Sequence, residues 1–265
     1  MPFIPLQDDN PRIMIARPIV TWAIIATCIV VFILQAAAGP QAAQAIAYSF
    51  GLIPAVLMGV RELSPDLAVL PAWATLITAM FLHGGFMHLA GNMLFLGVFG
   101  DNIEDSMGHG RFVVFYLICG AAASLSHVLI APGSTTPMIG ASGAISGVLG
   151  AYLILHPKAW VTILLFFFPL RFPAWLLLVG WIGFQLFAAL GGGASGGVAW
   201  WAHIGGFAAG AALIAGFRHK SVPLWGGGNH PKGIRIKRPP RQQSTQPSPG
   251  TARRQPRNKR PGPWG

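Results

Sequence analysis

Three short polar clusters interrupt a chain that is otherwise apolar, and their residue types suit acyl chemistry. They are His83-Gly84-Gly85-Phe86-Met87-His88-Leu89-Ala90-Gly91-Asn92, Gly140-Ala141-Ser142-Gly143 and Ala202-His203-Ile204-Gly205-Gly206. A serine hydroxyl within reach of an imidazole is the minimum for nucleophilic attack on a carbonyl, with Ser142 as nucleophile and His203 as base. The attack also needs donors for the oxyanion that develops. His88 and Asn92, four positions apart, share one helical face and can aim two side-chain donors at one point. Ser142 at the start of a helix adds unpaired backbone N–H groups at the positive end of a dipole. No acidic residue follows Asp105, so the set is a Ser–His dyad rather than a three-membered triad.

The elements that must position these groups are membrane spans. Only 9% of the 265 residues are charged while 53% are hydrophobic, and a soluble domain would carry about 25% charged residues. Apolar runs near the length needed to cross hydrocarbon fall at 19–38, 86–104, 111–131, 142–156, 173–190 and 202–217. The expected fold is therefore an all-α membrane protein, a six-transmembrane-helix bundle. Its parts are a cytoplasmic N-terminal segment at 1–18, a membrane domain at 19–217 and a basic tail at 218–265. The first run follows Arg12 and Arg17 and ends in Ala-Ala-Ala-Gly. It is long for a signal-peptide core, and an uncleaved first span is the preferred reading.

Loop charges set the orientation. Arg12, Arg17, Arg111, Lys158 and Arg171 lie on one side with the tail, while the opposite loops carry only Arg61. Both termini are thus expected in the cytoplasm. The net charge of +11 comes mainly from the tail, where no acidic residue occurs. This distribution describes a near-neutral apolar body with a disordered, positive tail close to anionic lipid, not a nucleic-acid-binding surface. Between the first two spans, Gly39 to about His83 reads as a segment lying in the interface, with apolar patches at Leu67–Pro71 and Trp73. Cys28 and Cys119 sit inside apolar runs and read as buried thiols.

With this topology, the second, fourth and sixth spans run the same way, so His88, Asn92, Ser142 and His203 share one depth beneath the outer surface. Small residues let membrane helices approach closely. Ser146 and Gly150 follow Ser142 at turn spacing, and Gly206 and Gly210 follow His203, so these two faces are expected to meet. Each feature alone has a plainer reading. A serine among small residues is usually a packing residue, and a histidine at a span's end is usually an interfacial anchor. A metal site built from His83, His88 and His203 would lack any Cys, Asp or Glu at that face. His109, His127 and His156 fit none of the clusters. The shared depth favours the catalytic reading.

At these residues the sequence resembles the rhomboid family of intramembrane serine proteases, over about Ile19 to Phe217. The resemblance implies Ser142 as nucleophile and His203 as base, with His88, Asn92 and the Ser142 backbone N–H as the oxyanion site. It implies structural roles near the site for His83, Gly140, Gly143, Gly206 and Gly210. The stretch Phe99-Gly-Asp-Asn-Ile-Glu-Asp105 also looks like family members and is expected to form an architectural turn. Two features depart from the family. Ser146 stands where some members carry an aromatic residue that stacks on the histidine, and a Trp-Arg pair of the first outer loop is not found. The expected activity is hydrolysis of single-span membrane proteins near the outer face of, in a bacterium, the inner membrane. No cofactor, metal or nucleic acid is expected. The alternative is a catalytically silent membrane chaperone or binding protein for transmembrane segments.

Overall fold

The computed structural model describes residues 4–165, 167–191 and 199–226. These belong to one compact unit spanning 1–233. The expected disordered tail lies, beyond Gly226, outside the described residues.

Helices form at each of the apolar runs: α1 (Ile19–Ala37), α5 (Phe86–Met107), α6 (His109–Ile130), α7 (Ser142–Leu155), α8 (Ala174–Leu190) and α9 (Trp200–Phe217). By length and composition α1, α6 and α9 can each cross a membrane. Residues Ala72–Phe81 together with α5 make a fourth candidate, bent by 82°; α7 and α8 are shorter apolar helices. The connection after α1 folds into α2 (Pro40–Phe50), α3 (Pro54–Leu57) and α4 (Thr75–Thr78).

The outward faces of α1 and α8 are apolar, as they would not be in a soluble bundle. On α1 the buried residues are Thr21, Cys28 and Gln35, while Trp22, Ile29, Val30, Ile33 and Leu34 are exposed. On α8 the inward row is Ala174, Leu177, Leu178, Trp181 and Gln185, and Val179, Phe184 and Phe187 face outward. An outer surface of large apolar side chains suits lipid, while Thr21, Gln35 and Gln185 turn inward to hydrogen-bond partners.

The fold is not all-α. Strand β1 (Ile4–Asp8) pairs antiparallel with β2 (Trp160–Leu165), which pairs antiparallel with β3 (Phe168–Pro173). The alternation that marks a strand is obscured here by Pro5, Pro169 and Pro173, and the β1 partner lies far off in sequence. Such a pairing leaves little local trace.

A second correction concerns residues 99–105, expected as a turn, which lie inside α5. Their acidic side chains latch the N-terminal segment. Glu104, fully buried, accepts from the backbone N–H groups of Val20 and Thr21 and from the Thr21 hydroxyl. It thereby caps the otherwise unsatisfied start of α1. The Asp105 carboxylate accepts from the N–H groups of Ile13, Met14 and Ile15. Asp101 pairs with Arg12. The helical turn itself sets these acids on the face that meets the N-terminus.

Helices α6, α7 and α9 form the close-packed centre. A Cβ built on Gly206 would fall 2.1 Å from the Gly143 carbonyl oxygen, one on Gly210 1.9 Å from that of Gly147, and one on Gly150 2.1 Å from that of Phe207. The tightest row on α7 is therefore Gly143–Gly147–Gly150, not the expected row through Ser146. Ser146 turns its hydroxyl back to the Ser142 carbonyl at 2.7 Å. Backbone contact of this kind is open only to glycine. Helix α6 closes the third side, with Cys119 against Gly147 and Ala123 against Gly143. Cys28 and Cys119 are buried free thiols.

Candidate functional site

Ser142 is the first residue of α7, entered from Ala141 with αR backbone. The preceding Gly140 has φ +125°, and a Cβ there would lie 2.7 Å from His88 Nε2. Only glycine takes this backbone while letting the loop run against the imidazole. The Gly140 N–H also donates to the Ala79 carbonyl at 2.8 Å, which pins the loop before Ser142. His203 enters from α9, and the α7–α9 glycine contact holds its ring against Ser142. The Ser142 Oγ to His203 Nε2 distance is 3.0 Å.

His88 and Asn92 come from the first turns of α5 and line the same cavity of about 530 Å³ as Ser142 and His203. Asn92 is buried, and its Nδ2 has no partner among the described residues. A built Cβ on Gly140 lies 3.6 Å from that nitrogen, so the free donor sits beside the loop that delivers Ser142. The Gly84 N–H reaches His88 Nδ1 at a long 3.5 Å. His83 is buried and stands outside the cavity lining, edge-on to His88 with ring centroids 5.2 Å apart. Among the described residues no group of three His, Cys, Asp or Glu has the arrangement to hold a metal ion.

Of the residues singled out in the sequence, Ser142, His203, His88, Asn92, Gly140 and Gly143 thus line one cavity, while Gly206 and Gly210 serve the helix contact beneath it. His109 joins none of this and pairs with Glu104.

The sequence reading missed the groups that surround the imidazole. Gln185 of α8 places Oε1 2.7 Å from His203 Nδ1. The rings of Trp181 and Trp200 lie 5.9 Å and 6.4 Å from that of His203. These aromatics come from α8 and from the start of α9, so the absence of a ring at Ser146 does not leave the histidine bare. One signal was available: Gln185 is the lone amide in the apolar run 174–190. A polar side chain at that depth is costly unless paired.

A mostly helical, lipid-suited chain with a serine–imidazole pair in a cavity under closely packed helices is an integral membrane protein with hydrolase-like furniture. Comparison with known sequences gives the family. The Rhomboid domain profile matches residues 71–220, and the chain belongs to the rhomboid family. It is 43% identical over 81 residues to Rhomboid protease GluP of Bacillus subtilis, covering 31% of this chain and 15% of that protein. Over 134 residues it is 35% identical to Rhomboid protein 1, mitochondrial, of Saccharomyces cerevisiae, covering 44% and 38%. Over 169 residues it is 32% identical to RHOMBOID-like protein 1 of Arabidopsis thaliana, covering 64% and 40%. The matched stretches are thus well under two thirds of these relatives' lengths.

Proposed function

We propose that this protein is an intramembrane serine endopeptidase that cleaves single-span membrane proteins through Ser142 and His203. The observation that carries this reading is the 3.0 Å contact between the serine hydroxyl and the imidazole inside a cavity with a free amide donor. His203 Nε2 takes the Ser142 proton as Oγ attacks the scissile carbonyl. His88, Asn92 and the Ser142 N–H stabilise the oxyanion. The imidazolium then gives its proton to the departing amine, and water, activated by the same imidazole, hydrolyses the acyl-enzyme. Membership of a family with protease-named relatives supports the same chemistry.

The accompanying architecture is six spans with both termini in the cytoplasm, a membrane domain over 19–217 and a basic tail against anionic lipid. The helices at the six apolar runs and the lipid-suited outer surface support it, as does the loop charge bias. Substrates would be segments that unwind near the outer face, because a stable helix keeps its carbonyls bonded.

The test is cleavage of a model transmembrane substrate by purified protein in bicelles. Ser142→Ala and His203→Ala should each abolish cleavage while the fold persists; cleavage retained by Ser142→Ala refutes the assignment. A fluorophosphonate probe should label wild type and not Ser142→Ala. Labelling of neither would favour the binding-protein alternative.

A further inference from the structure

The dyad leaves one requirement unmet: something must decide which imidazole nitrogen carries the proton. Neutral histidine has a single N–H, and the nitrogen bearing it is set by the partner of the other. Nε2 faces Ser142 at 3.0 Å. It can accept the hydroxyl proton only when Nδ1 bears the hydrogen, and an Nδ1–H buried in this interior needs an acceptor.

We propose that Gln185 is the positioning residue of His203. Its amide oxygen accepts the Nδ1–H and so holds the tautomer and ring plane in which Nε2 is the base. The inference rests on the reading of Ser142 and His203 as nucleophile and base. Three observations carry it. Gln185 Oε1 lies 2.7 Å from Nδ1, a short contact for a neutral pair. Gln185 is 3% exposed and His203 8%, so both partners are largely withdrawn from solvent. Trp181, one turn before Gln185 on the same buried face of α8, flanks the imidazole while Trp200 meets it edge-on. One helix therefore supplies both the acceptor and a wall of the ring's slot.

The choice of an amide over a carboxylate follows from the surroundings. A carboxylate in this interior would be a buried charge whose desolvation opposes the gain from pairing. An amide oxygen orients the ring without that cost, and it gives the imidazolium of the transition state less stabilisation than a charge would. The reverse amide orientation would present the NH2 group to Nδ1 and force Nε2–H toward Ser142, a resting state with no base. The two orientations therefore predict opposite tautomers.

Two experiments test the assignment on the full-length protein. In 15N-histidine spectra at a pH where His203 is neutral, wild type should show Nδ1 protonated, and Gln185→Leu should show a mixture of tautomers. An Nε2–H signal in wild type overturns the proposal, and this holds whether or not any substrate is cleaved. In the cleavage assay, Gln185→Leu should lose on the order of 10²-fold in kcat, the scale of a misplaced reacting group, with KM nearly unchanged. The near-isosteric Gln185→Glu should keep the Nδ1–H tautomer and cleavage, because its side-chain oxygen can accept at the same place. A merely structural role would leave the tautomer of folded Gln185→Leu as in wild type. An unchanged tautomer or wild-type kcat in folded Gln185→Leu overturns the proposal, while Ser142-dependent cleavage by wild type leaves the protease reading standing.

Discussion

Substituting Gly206 by alanine probes the contact that brings serine and imidazole together. The added Cβ would fall 2.1 Å from the carbonyl oxygen of Gly143, the residue after Ser142, and 3.2 Å from the Ala123 Cβ. Cβ contacts essentially never fall under 3.0 Å, and the obstructing atom is helix backbone that cannot rotate away. Helices α7 and α9 must then part by about 0.9 Å at this level, the step from 2.1 to 3.0 Å. Gly206 lies one turn below His203, so most of that displacement reaches the dyad. Transmitted rigidly, it lengthens the 3.0 Å Ser142–His203 contact to about 3.9 Å, beyond hydrogen-bond range. A misplacement of this size costs roughly 10²-fold in rate, and overpacking lowers stability by about 1–3 kcal/mol. The assay is kcat for a model transmembrane substrate, with thermal unfolding in the same detergent to establish that the variant is folded. Gly216→Ala is the control: it lies on the same helix with nothing within 4 Å of the added Cβ and should behave as wild type. Wild-type kcat in Gly206→Ala would refute the reasoning, as would an equal loss in Gly216→Ala.

Two further outcomes are expected. Asn92→Ala removes a free amide donor from the cavity and should lower kcat by about 10²–10³-fold with little change in thermal stability; an unchanged kcat would remove Asn92 from the oxyanion site. At the other end of the molecule, burial raises the Asp8 carboxyl from its ordinary 3.8 to about 7, opposed by the hydrogen bond from the Tyr152 hydroxyl and reinforced by Asp101 and Asp9. The native state then keeps a proton that the unfolded chain releases above about pH 4, so stability should fall as pH rises from about 4 to about 7. Thermal midpoints across that window should fall more steeply for wild type than for Asp8→Asn; identical slopes would contradict it.

The sequence alone determined the helices and the polar groups of the candidate site, because both are written locally. Apolar runs of spanning length need no partner to be recognised, and the runs at 19–38, 111–131 and 142–156 recur as α1, α6 and α7 within one or two residues at each end. Polar groups within lipid-length segments stand out by their cost, which is why His88, Asn92, Ser142 and His203 could be named before any contact was known. Glycine spacing showed that α7 and α9 would approach, but not which row touches, since rotation of one helix about its axis exchanges Ser146 for Gly147.

Tertiary structure decided what depends on pairs distant in sequence. The β1–β2 pairing joins Ile4 to Leu164, and no local pattern specifies a partner so far along the chain. The capping of α1 by Glu104 looks from the sequence like an acidic cluster at a helix end. It becomes a latch only when α1 and α5 are side by side, which presents unpaired N–H groups to a buried carboxylate. The support of His203 was decided in the same way: Gln185 and Trp181 mean nothing to the imidazole until α8 packs on α9. Hydrogen bonds reach only about 3 Å, so a local motif can name the groups that react, while their orientation is settled by whichever helices the fold brings alongside.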